Sequence, residues 1–110
     1  MTIDFTSMEF TSLPKFKGGE KELKAQMYWD GTDRALHGIL VPGASIGQHV
    51  HDTNCEFIFV MKGSGTIIDD GIASPIRAGQ CTFCPKGHSH SLINSGDEDL
   101  EFYAAVPNIG

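Results

Sequence analysis

The sequence predicts an all-β protein that forms either a sandwich or a closed barrel. Thirteen glycines and five prolines divide the 110 residues into short segments, and these segments are rich in β-branched and aromatic residues. Asp-Gly pairs, which favour tight hairpins, occur in the turns at 29–34 and 68–72. Because many short antiparallel strands leave their edges open to other chains, we expect these strands to close or stack.

Nine segments are predicted as strands, and turn residues separate them in order along the chain. In the first segment, apolar side chains occupy alternate positions from Leu23 to Trp29, which is the pattern of a half-buried strand. Later boundaries follow glycine-containing turns with the sequences VPGAS, MKGSG, RAGQ, PKGHS and NSGDE. The predicted strands are residues 22–29, 34–41, 47–51, 56–62, 64–68, 72–77, 80–84, 89–94 and 99–106.

The domain organisation predicted from this pattern is a single barrel domain over residues 21–110, preceded by a lead-in over residues 1–20. A chain of 110 residues is long enough for one self-standing core. Because the lead-in has no clear periodicity, we expect it to be either loosely ordered or a strand exchanged with a partner subunit.

The charge and composition exclude several classes of partner. Eight basic and fourteen acidic residues give a formal net charge of -6, which disfavours nucleic acid and anionic membranes as partners. No apolar stretch approaches the roughly 18 residues of a membrane span, and the N-terminal MTIDFTSMEF lacks the basic and hydrophobic regions of a signal peptide. Three cysteines cannot all pair internally and fit a reducing compartment. We therefore expect a cytoplasmic protein with no nucleic-acid or membrane partner.

Three histidines and one glutamate form a candidate metal site. His49 and His51 are two residues apart, so that both imidazoles project from one face of a strand. Glu56 opens the next predicted strand, and His90 lies in a later one. Three neutral imidazoles and one carboxylate suit a divalent transition metal and leave coordination positions open for water or a small molecule.

The residues around these ligands resemble the two motifs of the cupin family. Residues 43–63, GASIGQHVHDTNCEFIFVMKG, match every specified position of the first motif, G(X)5HXH(X)3-4E(X)6G. Residues 79–94, GQCTFCPKGHSHSLIN, match every specified position of the second motif, G(X)5PXG(X)2H(X)3N. The chain resembles the small single-domain bacterial cupins. The resemblance implies a double-stranded β-helix, or jelly-roll, barrel in which His49, His51, Glu56 and His90 hold a metal ion.

The resemblance also implies the classes of function to be considered. Iron or manganese at the site would point to a dioxygenase, and nickel, zinc or cobalt to an isomerase or lyase, each acting on a small organic molecule. The alternative is a non-catalytic barrel that binds or senses a small ligand. Small cupins in general resemble homodimers, so we expect a homodimer. The motifs specify neither the metal nor the substrate, and no catalytic residue is assigned.

Three further residues are candidates for the pocket or for contacts that orient the ligands: His37, His88 and Trp29. His37 shares a strand face with Ile39, which favours a hydrogen-bonded core histidine over an acid–base group in the pocket. His88 lies in the PKGHS turn, which favours a solvent-facing or ligand-supporting role over direct ligation.

The remaining motif residues, aromatic residues and cysteines are interpreted as structural. Cys81 and Cys84 are three residues apart on one predicted strand, so their side chains would diverge, and Cys81 is expected in the core. Side chains expected in barrel packing are Met27, Trp29, Phe57, Phe59 and Phe102. Motif positions expected to shape turns or strand ends are Gly43, Gly63, Gly79, Pro85, Gly87 and Asn94.

Overall fold

A computed structural model of the protein describes all 110 residues as ten β-strands and two short 3₁₀ helices, Phe5–Ser7 and Phe16–Gly18. The strands are β1 (Thr11–Pro14), β2 (Glu22–Trp29), β3 (Arg34–Leu40), β4 (Ser45–Val50), β5 (Glu56–Lys62), β6 (Ser64–Asp69), β7 (Ile72–Arg77), β8 (Cys81–Cys84), β9 (Ser89–Ile93) and β10 (Leu100–Val106). The predicted all-β fold is confirmed. No helix of the protein is long and apolar enough to cross a membrane.

The strands form two antiparallel sheets that enclose one core. The six-stranded sheet has the order β1-β2-β3-β10-β5-β8, and the four-stranded sheet has the order β4-β9-β6-β7. β10 therefore lies between β3 and β5, although it is far from both in sequence, and this crossing order is typical of a jelly roll. All nine predicted strands are present, and β4 begins two residues earlier than expected, at Ser45.

The tenth strand, β1, lies within the predicted lead-in. It pairs with β2 of the same chain, and Leu13 stands opposite Leu23 in the ladder. The sequence does not predict β1 because the strand has four residues and only Leu13 is even half-buried, so no alternation is visible. An exchanged strand would form the same pairing with β2 of a partner subunit, and exchange therefore stays a prediction.

Side chains from both sheets fill the core around Phe102 of β10, its largest fully buried side chain. Gly38 of β3 stands opposite Phe102 in the β3–β10 ladder. A Cβ atom at position 38 would lie 2.5 Å from the Phe102 ring, so only glycine leaves room for the ring. The core consists of Leu23, Ala25, Leu36, Leu40, Ala44, Ile46, Ile58, Val60, Ile67, Ile76, Leu92, Leu100, Phe102 and Ala104, with Met27 packed against it.

The motif residues outside the metal site shape turns, as predicted. The four motif glycines all have positive φ, and a Cβ atom at Gly63 would also lie 2.4 Å from the Asp99 carbonyl oxygen. Pro85 directly follows the end of β8. The Asn94 side chain donates to the carbonyl oxygens of Leu40 and Glu98, both at 2.7 Å, and so ties two turns together.

The prediction that Phe57, Phe59 and Cys81 lie inside the barrel is wrong. Side chains of β5 alternate between the two faces of the sheet, and Ile58 points into the core, so Phe57 and Phe59 lie on the outer face. Cys81 stands opposite Phe59 across the β5–β8 pair and is exposed as well. Cys84 is buried, so the two cysteines diverge as expected, and burial raises the pKa of the Cys84 thiol to about 11.

Candidate metal centre

The four predicted ligands come from three strands that meet inside the barrel. His49 lies in β4 and His51 directly follows the end of this strand, so that both imidazoles turn to the same side. Glu56 begins β5, and His90 of β9 pairs with His49 across the β4–β9 ladder. Strand pairing thus brings together residues that are 41 positions apart in the sequence.

The ligating atoms lie in contact distance of one another. Oε1 of Glu56 is 2.7 Å from Nε2 of His90, 3.1 Å from Nε2 of His51 and 3.6 Å from Nε2 of His49. Nε2 of His90 is 3.0 Å from Nε2 of His51 and 3.1 Å from Nε2 of His49. Two ligands at right angles, each about 2.1 Å from one ion, lie about 3 Å apart. The spacing therefore fits a single metal ion.

Hydrogen bonds at the other ring nitrogens direct the free lone pairs toward the centre of the site. Nδ1 of His49 lies 2.8 Å from the Gly47 carbonyl oxygen, which can only accept, so Nδ1 donates. Nδ1 of His51 faces the side-chain oxygen of Asn54 in the same way. In neutral imidazoles these bonds leave the lone pair on Nε2. Lone pairs that point at each other and at a carboxylate need a cation between them, and the donor set fits a metal ion.

His90 is the most deeply buried of the three histidines, with a relative exposure of 2%. Its Nδ1 is buried without a hydrogen-bond partner in the protein, in contrast to the Nδ1 atoms of His49 and His51. The orientation of the His90 ring is therefore held by packing within β9 and by the contacts of its Nε2 atom.

The electrostatics of the site favour positive charge next to Glu56. Burial raises the pKa of a carboxyl group, but hydrogen bonds with His49, His51 and His90 outweigh this effect and hold the pKa of Glu56 well below its usual range. In return, the hydrogen bond with Glu56 raises the pKa of His51, against the opposing effect of burial. The positive charge is supplied either by protons on the imidazoles or by a metal ion that replaces them.

The ligands His49, His51 and Glu56 line a cavity of about 220 Å³. This volume is smaller than the roughly 300–1,000 Å³ of pockets for drug-sized molecules, so the cavity suits a compact ligand. Its walls combine apolar and polar side chains. Among them are Leu36, Phe102, Lys17, Arg34, Asp52 and Asn54.

The structure places His37 outside this cavity, on the outer face of the six-stranded sheet. Its Nδ1 lies 2.6 Å from the side-chain oxygen of Gln26, and its Nε2 lies 2.6 Å from a carboxylate oxygen of Glu101. The ring stacks on Tyr103 with 4.8 Å between centroids. His37 is therefore buried and hydrogen-bonded as predicted, but it lies outside the core of the barrel and apart from the metal ligands.

His88 and Trp29 also lie outside the cavity. The exposed His88 side chain pairs with Asp70, and only its backbone supports the site, because the His88 carbonyl oxygen accepts from the amide of His51 at 3.1 Å. Trp29 is 53% exposed, so its expected packing inside the barrel is wrong. The Trp29 ring instead stacks on the guanidinium of Arg34 at 4.8 Å and reaches the cavity only through that side chain.

Five polar residues of the cavity were not identified from the sequence, among them Lys17, Arg34 and Asn54. Arg34 carries a usable signal, since it lies two residues before the core residue Leu36 on β3 and so shares its inward face. Asn54 lies between two motif ligands, and its contact with His51 depends on how the turn folds. Lys17 carries no signal, because it belongs to a 3₁₀ helix within a segment that has no periodicity.

Comparison with known proteins identifies the family. The family model described as "Cupin domain" matches residues 36–106, which include all four candidate ligands. The chain belongs to the cupin family. The double-stranded β-helix barrel implied by the motif resemblance is thereby confirmed, as is the assignment of the chain to the small cupins.

Three relatives of this cupin are informative. A curated protein of Thermotoga maritima named "Oxalate-binding protein" is 42% identical over 67 residues, which are 61% of this chain and 55% of that protein. A dimethylsulfoniopropionate lyase of Ruegeria pomeroyi is 30% identical over an alignment of 95 residues that covers 77% of this chain and 61% of the lyase. A crystal structure from Thermotoga maritima, described as a predicted oxalate decarboxylase, superposes with a TM-score of 0.90 at 29% identity over 98% of this chain and 99% of that chain. The matches to the curated relatives thus span little more than half of their lengths.

Proposed function

We propose that this cupin is a metalloenzyme that binds a small carboxylic acid, such as oxalate, directly on a divalent transition metal. The observation that carries the proposal is the convergence of the four ligating atoms, all within 4.8 Å of one another, beside a compact cavity. Four protein ligands leave positions of a six-coordinate ion open for a small molecule. Manganese, iron, nickel, zinc and cobalt all accept this donor set, so the metal stays open.

The names given to the two Thermotoga maritima matches support a carboxylic acid as the ligand, because the sequence match is named an oxalate-binding protein and the solved structure is described as a predicted oxalate decarboxylase. The lyase from Ruegeria pomeroyi supports catalysis in which a bond of a small carboxylate is cleaved. A carboxylate ligand is the feature that the two Thermotoga names share. We carry that feature, and no particular substrate, over to this chain.

The residues of the chain have separate roles in the proposed chemistry. A divalent ion held by the four ligands would polarise a carboxylate as a Lewis acid. The Gly47 carbonyl and the Asn54 side chain fix the orientation of two imidazoles, while Leu36 and Phe102 narrow the cavity and exclude water from it. Asp52 lines the cavity as an exposed carboxylate that forms no ion pair with the three histidines.

We expect protein loaded with Mn²⁺ to bind oxalate and metal-free protein to bind it at least about 100-fold more weakly, because the metal supplies the main attachment point. Isothermal titration calorimetry of the two forms measures this difference. Titration with sulfate, a dianion with a different shape, is the control for general attraction of anions. Equal affinities of the two forms for oxalate would contradict the proposal.

A second candidate function is non-catalytic binding of the same acid, which the name of the oxalate-binding relative favours. The two candidates differ in turnover. Release of CO₂ and formate from oxalate by the Mn²⁺-loaded protein, in excess over protein, would support the enzyme. Tight oxalate binding without product over hours, with other divalent metals tested in parallel, would support the binding protein.

We also propose that the protein is a homodimer that pairs through the outer face of the six-stranded sheet. Five large side chains, 36–56% exposed, form a continuous uncharged patch that we call the aromatic face: Phe57, Phe59, Met61, Phe83 and Tyr103. Phe57 stands opposite Phe83, and Phe59 stands opposite Tyr103, so the patch crosses three adjacent strands. The rings of Phe57 and Phe83 stack with 4.5 Å between centroids.

The size and chemistry of the aromatic face suit a second copy of the chain. Its exposed part amounts to roughly 400 Å², about half of the roughly 800 Å² that each partner buries in a standard interface. The centres of interfaces are poor in charge and rich in aromatic side chains and methionine. Because the net charge of -6 opposes association of two copies, an uncharged face is where two copies meet with the least repulsion.

Replacement of Phe59 by aspartate should convert the dimer into a monomer, because the new charge lies in the centre of the paired aromatic faces. Sedimentation velocity at about 1–100 μM protein measures the change. Ile72→Asp is the matched control, since Ile72 is exposed on β7 of the other sheet and its variant should stay dimeric. A wild type that is monomeric throughout this range, or a Phe59→Asp variant that remains dimeric, would exclude this interface.

A further inference from the structure

Two positively charged side chains, Lys17 and Arg34, line the same cavity as the candidate metal ligands. Neither forms an ion pair, because every ion pair of the protein has a histidine as its basic partner. Of the two acids that line the cavity, Glu56 contacts the imidazoles, and Asp52 forms no ion pair. Two uncompensated positive charges beside a metal-ligating site favour an anion in the cavity.

Arg34 has a donor that the protein leaves unsatisfied. Its Nε atom is buried and has no hydrogen-bond partner. The side chain is held in place, because Trp29 stacks on the guanidinium and Arg34 shares the inward face of β3 with Leu36. A buried donor without an acceptor is destabilising, so a ligand that supplies an acceptor is favoured here. The planar fork of a guanidinium matches the two oxygens of a carboxylate.

Lys17 is held beside the metal ligands by close contact between two backbones. A Cβ atom at Gly47 would lie 2.0 Å from the Lys17 carbonyl oxygen, and a Cβ atom at Gly19 would lie 2.1 Å from the Ser45 carbonyl oxygen. Only glycine at both positions lets the Phe16–Gly18 helix lie against β4, the strand that carries His49. Lys17 itself has a φ of 56°, a left-handed conformation that is uncommon outside glycine and often found at functional sites.

The charges of the complete site favour a ligand with two negative charges. A divalent ion next to Glu56 leaves one positive charge, and Lys17 with Arg34 adds two. Asp52 removes one of these, so that two positive charges remain. A dianion neutralises them, whereas a monocarboxylate leaves one positive charge of the cavity without a partner.

We propose that Lys17 and Arg34 form a second carboxylate site, so that the preferred ligand is a short dicarboxylate with one carboxylate on the metal and the other on these two cations. This inference rests on the proposed function, which places the first carboxylate on the metal. The cavity volume of about 220 Å³ restricts the ligand to short acids.

The test compares dicarboxylates with monocarboxylates on Mn²⁺-loaded protein. Oxalate and malonate are titrated beside glycolate and propionate by calorimetry, and the fluorescence of Trp29, the one tryptophan of the chain, reports contact with Arg34. We expect Arg34→Gln and Lys17→Gln each to weaken dicarboxylate binding by about 10–100-fold. Monocarboxylate binding should change less than about threefold, and the metal content should stay that of the wild type.

Lys24→Gln is the matched control, because Lys24 is exposed on the outer face of β2 and lies away from the metal site. Lys17 is also exposed, so its variant tests the inference even where Arg34→Gln disturbs folding. If wild-type protein binds none of the four acids, the proposed function fails and the second site fails with it. Two results would overturn only the second site, provided that wild-type protein binds oxalate or malonate. In the first, the Lys17→Gln variant binds the dicarboxylate as tightly as wild type. In the second, the variant loses affinity for monocarboxylates and dicarboxylates to the same extent.

Discussion

Replacement of His90 by alanine is expected to lower metal affinity by at least about 100-fold and to leave the purified protein almost free of metal. Nε2 of His90 contacts Glu56 and both other imidazoles, so it has the most central position of the four ligands. Loss of a group that merely orients a ligand costs about 10–100-fold in metal affinity, and loss of the ligand itself costs more. The buried Glu56 carboxylate also loses a partner, which weakens the remaining site.

His88→Ala is the matched control for this experiment. His88 lies two residues before His90, but its side chain is exposed and pairs with Asp70, so its removal should leave the metal content unchanged. Mass-spectrometric metal analysis after gel filtration, together with competition against a chelator, measures both variants. Wild-type metal content in the His90→Ala protein would rule out the ligand set, and loss of metal in both variants would indicate a general disturbance of β9.

The grouping of the four candidate ligands could be predicted from the spacing of the residues and from the motifs. Alternation along a strand puts His49 and His51 on one face, and the motifs supply the distances to Glu56 and His90. The turn positions were predictable for the same reason, since positive φ and strand ends are local properties of glycine and proline. Only the position of His90 beside His49 depends on strand pairing, and there the resemblance to the motifs supplied what local spacing does not.

The two faces of β5 could not be distinguished from the sequence. The segment EFIFVMK is apolar on both faces, so alternation identifies Phe57 and Phe59 as sharing a face but does not indicate whether that face is inside. Exposed apolar patches often mark interaction surfaces, and the proposed dimer would cover Phe57 and Phe59.

The two basic residues of the cavity differ in how far their positions can be predicted from the sequence. The inward orientation of Arg34 can be predicted from the alternation of side chains along β3, because Arg34 lies two residues before the buried Leu36. The position of Lys17 cannot be predicted in this way. It depends on the close backbone contact between Gly19 and Gly47, which are 28 residues apart in the sequence. The predicted metal ligands therefore come from the motifs. The two basic residues of the proposed second carboxylate site lie outside the motifs, Lys17 in the N-terminal segment and Arg34 in β3.

Replacement of Phe102 by alanine is expected to lower the free energy of unfolding by about 3–5 kcal/mol, the usual range for a fully buried phenylalanine. Phe102 is fully buried, lies against Gly38 and lines the ligand cavity. The glycine cannot fill the space that the ring leaves, so a cavity remains and contributes to the loss of stability. Urea unfolding of the metal-free protein, followed by circular dichroism, measures the change without a contribution from metal binding.

Phe10→Ala removes the same atoms from a side chain that is 47% exposed and lies outside both the core and the aromatic face. Its expected cost is about 1 kcal/mol or less, since much of that ring is already in water. If Phe102→Ala lowers the free energy of unfolding by this much more than Phe10→Ala does, the additional loss is due to packing at the centre of the barrel. Similar costs for the two variants would mean that the barrel closes over the missing ring, and a cavity that collapses so readily would not be a preformed site for a short acid.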